Sequence, residues 1–259
     1  MKEAIKKVRK RITPGLCFRL LLSILLIVIA CVSLLRLARG NQEYTKEKEV
    51  HKKMLEYRPI SQEEDKGAEN QVNPQIQELK KINPDVAGWV YLNGTSIDYP
   101  FVAAGDYSEY LRTDIYGDYS LGGTVFTDYR LGADFTGFQT ILFGHSMDNG
   151  SMFMDLLNFR DREYFKAHRE GVIYLEKETL ELELIACVVV DATQEEIYGV
   201  KDTVERKTQF LKSLRERDVH GAEETPKDLA IQDRFVLLST CSYEHNEART
   251  VVVYRIKTE

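Results

Sequence analysis

From residue 88 onward the chain is a succession of short β-type runs: 88–92, 96–101, 123–127, 139–143, 172–176, 180–190, 235–240 and 250–256, punctuated by Gly, Asn and Asp. Val, Ile, Leu, Phe and Tyr dominate the runs, and no long helical period alternates with them. Such a series predicts an all-β barrel or sandwich and argues against an alternating α/β sheet. The stretch 74–259 is long enough to bury a sizeable core as one domain. It holds no internal repeat and no glycine-rich phosphate loop.

Helical patterns are few. Ile76, Leu79 and Ile82 recur at threes over 74–82 with Pro74 in the first turn, which predicts a short amphipathic helix ended by Asn83-Pro84. The stretches 153–159 and 160–168 read as two short helices. Between the sixth and seventh β runs, Val204, Phe210, Leu211 and Leu214 share one side of 201–217, and Asp202 with Glu205 suggests a capping box.

The amino terminus is of another kind. Residues 20–35 carry no charge, and with its flanks 15–38 is long enough to cross a bilayer as a helix, which takes about 20 residues. Arg19 and Arg36 stand where cationic side chains can reach the headgroups. Lys2, Lys6, Lys7, Arg9, Lys10 and Arg11 precede the span, so 1–14 is expected as a cytoplasmic tail, with the bulk of the chain outside. A cleaved signal peptide shares the basic start and apolar core and is the alternative. The polar, charged stretch 39–73 is expected as an extracellular linker.

Residues 1–40 hold nine Lys or Arg and one Glu; removing that +8 from the chain's −6 leaves −14 for the remainder. An acidic ectodomain argues against nucleic acid as a partner, since phosphate contacts need clustered Lys and Arg. Of the four cysteines, Cys17 and Cys31 belong to the apolar segment or its edge. Cys187 sits in an apolar strand pattern, and Cys241 is left as an unpaired thiol. A Cys187–Cys241 disulfide is the structural alternative. Cys241 and His245, with Glu244 between them, could supply two metal ligands, but zinc takes three or four, so no metal and no cofactor are expected.

Cys241 ends the run Phe235-Val236-Leu237-Leu238-Ser239-Thr240, and Arg249 opens the next one eight residues later. Another apolar run, Thr140-Ile141-Leu142-Phe143-Gly144, delivers His145. A thiol nucleophile, an imidazole to share its proton and a fixed cation to steady an oxyanion suit acyl transfer. Nothing in the spacing alone shows that the three meet.

At these residues the chain resembles the sortases, surface cysteine transpeptidases of Gram-positive bacteria, and their class B in particular. Leu238-Ser239-Thr240-Cys241 matches the family's Leu-x-Thr-Cys signature, and Arg249 falls where its arginine is expected. The run Gly144-His145-Ser146-Met147-Asp148-Asn149-Gly150-Ser151-Met152-Phe153 is similar to the class B histidine segment. Asn83-Pro84-Asp85-Val86-Ala87-Gly88-Trp89, Ile97-Asp98-Tyr99-Pro100 and Asp128-Tyr129-Arg130 are similar to class B as well.

The resemblance implies a closed eight-stranded sortase β-barrel with an amino-terminal helix and a helical insertion in the β6–β7 loop, preceded by one transmembrane helix. It also implies catalytic roles for Cys241, His145 and Arg249. Ser239, Thr240 and Leu111 match substrate-groove positions, with Thr193, Ile197 and Tyr198 in the loop before the insertion. The implied partners are surface proteins with a C-terminal sorting signal, a peptidoglycan precursor or cross-bridge amine, and the membrane. The implied reaction cleaves a motif of the Asn-Pro-x-Thr-Asn or a related Pro-x-Thr type after Thr. Pilin joining and plain hydrolysis are the alternatives. Some members carry an acid after the cysteine; here Ser242 and Tyr243 follow, and Asn149 or a backbone carbonyl is left to orient His145.

Overall fold

The computed structural model describes residues 14–59, 72–241 and 248–258, the side chains of Pro14, Leu16, Cys17 and Cys241 excepted. The basic tail 1–13, part of the expected linker (60–71) and the turn 242–247 with Ser242, Tyr243, Glu244 and His245 lie outside the described residues. Two compact units divide the chain, Met1–Lys46 and Glu47–Glu259.

Helix α1, Pro14–Met54, begins in the first unit, where its Leu, Ile and Val side chains are exposed. It is long and apolar enough to cross a membrane. Its last two turns belong to the second unit, and Met54 is buried there against Ile76, Leu79 and Trp89. The globular unit thus begins within the stretch expected as linker, because Val50 and Met54, single apolar positions in a polar sequence, pack against its core.

The second unit is a closed barrel of eight strands in the order β1-β2-β3-β4-β7-β8-β6-β5. The strands are β1 Val86–Leu92, β2 Asp98–Val102, β3 Val125–Thr127, β4 Gln139–Phe143, β5 Glu170–Leu175, β6 Thr179–Asp191, β7 Phe235–Cys241 and β8 Ala248–Ile256. β2 pairs with β3 and β4 with β7 in parallel; the remaining neighbours are antiparallel, and β1–β5 closes the ring. Closure removes sheet edges, and the barrel wall buries Trp89, Phe101, Leu184, Phe235 and Tyr254, all essentially solvent-free. Cys187 lies inside β6 as a free buried thiol; burial raises its pKa, so it packs as a small hydrophobe.

Helix α2, Pro74–Ile82, forms where the spacing predicts, capped by Asn73, whose Oδ1 accepts from the N–H groups of Gln75 and Ile76. A 3-10 segment Met154–Arg160 and helix α3, Arg162–Ala167, follow the histidine loop. A single turn, α4 Glu195–Tyr198, and the longer α5, Val204–Arg217, occupy the connection between β6 and β7. The capping-box expectation for Asp202 and Glu205 is corrected here. Thr203 is the N-cap, accepting from the Arg206 N–H at 3.2 Å, while Asp202 pairs with the Arg206 guanidinium. On its inner side α5 lays Phe210 against Phe138 and Phe235, with ring centroids 5.5 and 5.4 Å away. This contact fixes the connection that borders the site.

Candidate active site

Strand pairing brings three distant parts of the sequence to one rim of the barrel. β4 and β7 run in parallel with Phe143 opposite Ser239, and the Gly144 N–H donates to the Ser239 carbonyl at 3.2 Å. The two chains leave the sheet together, His145 on one and Cys241 on the other, each two residues past that pair. β7 and β8 run antiparallel and set the Cys241 backbone opposite Arg249.

A cleft of about 580 Å³ opens on this rim. His145, Arg249, Ser239, Thr240, Leu111, Thr193 and Tyr198 line it, along with Tyr107, Phe126, Arg130 and Phe143. Ile197 does not. It is fully buried among Ile185, Phe210 and Leu214, because successive residues of the α4 turn point apart: Tyr198 toward the cleft and Ile197 into the barrel-side packing.

His145 is half-buried, and its Nε2 lies 2.9 Å from the Leu111 carbonyl oxygen. A carbonyl only accepts, so Nε2 carries the hydrogen and the neutral ring offers Nδ1 as its base nitrogen. Leu111 therefore meets the site through its main chain as well as its partly exposed side chain. Asn149 spends its Oδ1 on the next turn, where it accepts from the Ser151 N–H at 3.0 Å and from the Ser151 hydroxyl at 2.6 Å.

Burial lowers the His145 pKa from the ordinary 6.5, the Leu111 carbonyl opposes that shift, and Arg112 and Arg249 add to it. The ring is thus held neutral at pH 7. In the window between its lowered folded value and 6.5, the folded chain binds fewer protons than the unfolded one. Stability from this group is present above that window and is lost as pH falls through it. We expect the denaturation midpoint of the native protein to fall more steeply than that of His145→Gln between pH 6.5 and 5. Parallel curves would show that the ring is not desolvated.

A polar network centred on buried Asp128, with no role assigned from sequence, supports the cleft wall. Asp128 is fully buried after β3, and Arg130 grips it through Nε to Oδ1 at 3.0 Å and Nη2 to Oδ2 at 2.6 Å. The Tyr107 hydroxyl lies 3.0 Å from both carboxylate oxygens. Asp128 raises the pKa of Arg130; burial, then Asp128, raises that of Tyr107. Arg130 Nη2 also donates to the Tyr198 carbonyl at 2.9 Å, and the Tyr198 hydroxyl lies 2.8 Å from Ser239 Oγ. Beyond Tyr198, the Gly199 carbonyl accepts from Gln139 Nε2 at 3.0 Å and from Lys201 Nζ, whose pKa burial lowers to about 8. The Asp128-Tyr129-Arg130 run was the signal available in the sequence, but only its partners reveal what it holds.

No protein-family model matches the chain. It is similar to sortase B of Listeria monocytogenes, 28% identical over 191 residues that cover 73% of this chain and 76% of that protein. Among solved structures, it matches a Streptococcus pyogenes class B sortase involved in pilus biogenesis at 33% identity and TM-score 0.64. That match covers 71% of this chain and 98% of the other. Sortase B from Bacillus anthracis in complex with AAEK1 matches at 28% identity and TM-score 0.72, covering 84% of this chain and 99% of that one.

Proposed function

The chain belongs to the class B sortases, a cysteine transpeptidase family, and on that premise we propose that Cys241, His145 and Arg249 cut a C-terminal sorting motif after Thr and pass the protein to a cell-wall amine. The observation that carries this reading is the strand register: parallel β4–β7 and antiparallel β7–β8 converge on one rim, above a cleft sized for an extended peptide.

In this mechanism the Cys241 thiol gives its proton to His145, and the sulfur adds to the Thr carbonyl carbon. Arg249 steadies the negative oxygen without exchanging a proton. The bond from Thr to the next residue breaks, and its nitrogen leaves with the proton held by His145. An amine of a peptidoglycan precursor or cross-bridge then attacks the thioester, yielding a new amide and the free thiol. Thr193, Ser239 and Tyr198 border the cleft where the motif would lie, and Leu111 flanks His145. Ile197 would act from behind this wall rather than touch the peptide.

Residues 15–38 serve as a single membrane span in this reading, with 1–14 in the cytoplasm and the barrel outside. A cleaved signal sequence would share that helix. Held at the membrane, the enzyme gains effective concentration toward surface proteins and wall precursors retained there. The motif is of the Asn-Pro-x-Thr-Asn or a related Pro-x-Thr type. A pilin-joining role is the second reading, favoured by the likeness to the Streptococcus pyogenes enzyme.

Peptides bearing these motifs, incubated with the protein in detergent, are expected to form an adduct with an added amine in preference to the free acid. Free acid alone, even with abundant amine, would identify a hydrolytic peptidase. Equal rates across unrelated motifs would reject a class B preference.

A further inference from the structure

The last turns of α1 hold two side chains that reach the loops flanking His145. Glu47 Oε1 accepts from the Gly122 N–H at 2.6 Å and lies 3.3 Å from Ser120 Oγ. Gly123, at φ +61°, passes so close to the 110–111 backbone that a Cβ would sit 2.4 Å from the Tyr110 carbonyl oxygen and 2.6 Å from that of Leu111. The Leu111 carbonyl is the group that His145 Nε2 meets. Glu47 therefore pins the strand entry against which the acceptor of the imidazole rests.

One turn later, His51 stacks on Tyr99 with ring centroids 4.3 Å apart, and its Nε2 lies 3.1 Å from the Asp98 carbonyl. The Tyr99 hydroxyl accepts from the Met152 N–H at 2.9 Å. Met152 sits at φ +58°, an unfavourable backbone region for a non-glycine residue, so this bond helps hold a strained turn in place. That turn pairs Met152 with Ser146, and the next residue, Phe153, donates its N–H to the His145 carbonyl at 2.8 Å. The loop is gripped at both ends of the imidazole-bearing segment.

We propose that Glu47 and His51 are positioning residues for His145, acting through Gly122–Leu111 on the ring and through Tyr99–Met152 on its backbone. This rests on the catalytic reading of His145 given above. The segment from Glu47 to Met54 is then part of the catalytic unit, and its side chains govern the tautomer and aim of the base. Neither residue reaches the cleft, so substrate affinity should be largely spared.

The test uses the full-length chain in detergent, with Glu47→Ala, Glu47→Gln and His51→Ala beside His145→Ala. Glu47→Ala is expected to lower kcat about tenfold with KM within about twofold, a partial form of the roughly hundredfold loss that a misplacement of about 1 Å can cause. In ¹⁵N-histidine spectra, the His145 ring should shift from a single Nε2–H tautomer to a mixture. Glu47→Gln keeps an acceptor for the Gly122 N–H and should restore both readouts. His51→Ala should lower kcat to a similar extent. A folded Glu47→Ala protein with native kcat and an unchanged His145 tautomer would overturn the proposal. Equal loss in the Gln variant, or loss tracking a lowered Tm, would mark a merely structural role. Should His145→Ala itself keep full activity, the catalytic reading fails instead, and the spectra still report whether Glu47 sets the ring.

Discussion

The full-length protein carrying Cys241→Ala is expected to cleave no sorting peptide above background, a loss of about 10⁴-fold or more in kcat/KM. The barrel should be unaffected. Cys241 is the last residue of β7, and alanine keeps both its backbone and its pairing with Arg249. The remaining cleft should still bind peptide, but the hydroxyls that line it among the described residues, Thr193, Ser239 and Thr240, are far poorer nucleophiles than a thiolate. Cys241→Ser tests the same point at nearly constant volume, since a hydroxyl beside a weakly basic imidazole is a far poorer nucleophile than a thiol. Mass spectrometry of the native enzyme with peptide should trap the thioester on Cys241, and neither variant should carry it. Residual turnover in the alanine variant above one part in a thousand would place the nucleophile elsewhere.

The second large effect falls on stability. Asp128→Ala removes the acceptor shared by Arg130 and Tyr107 and is expected to cost about 3 kcal/mol, the range for breaking a buried ion pair from one side. Asp128 is fully buried, but the Arg130 side chain is 34% exposed, so its guanidinium can turn partly to water and hold the loss near the lower end of that range. The damage should extend to the cleft, because the same guanidinium holds the Tyr198 carbonyl and, through that residue, the partner of Ser239. KM should rise several-fold. A denaturant midpoint within experimental error of the native one would show the network to be energetically idle. In Asp128→Leu/Arg130→Met, apolar packing should restore much of the stability but not the KM, which separates the fold's need for the pair from the substrate's.

Much of this molecule is readable along the chain because its signals are local. The apolar β-type composition of the runs that became β1, β4, β7 and β8, the threefold spacing behind Ile76 and Leu79, and the charge-free stretch before Arg36 each depend on neighbours a few residues away. Leu238-Ser239-Thr240-Cys241 and Gly144-His145 marked the rim for the same reason. Boundaries were less legible where a side chain chose between partners. Thr203, not Asp202, caps α5, and Ile197 turns to the core while its neighbour Tyr198 faces the cleft.

By itself the sequence determined the β-rich class of the domain, its apolar amino-terminal helix and the residue types able to carry acyl-transfer chemistry. Periodicity and composition are properties of contiguous residues, and they survive without coordinates. Tertiary structure alone decided that the strand ends bearing His145, Cys241 and Arg249 share a rim, since parallel pairing of β4 with β7 joins segments nearly a hundred residues apart. It also decided that the Leu111 carbonyl meets the imidazole, that Asp128 and Arg130 brace the cleft, and that Glu47 accepts the Gly122 N–H. Hydrogen bonds of this kind depend on distance and direction between chain segments whose separation in sequence carries no trace of either.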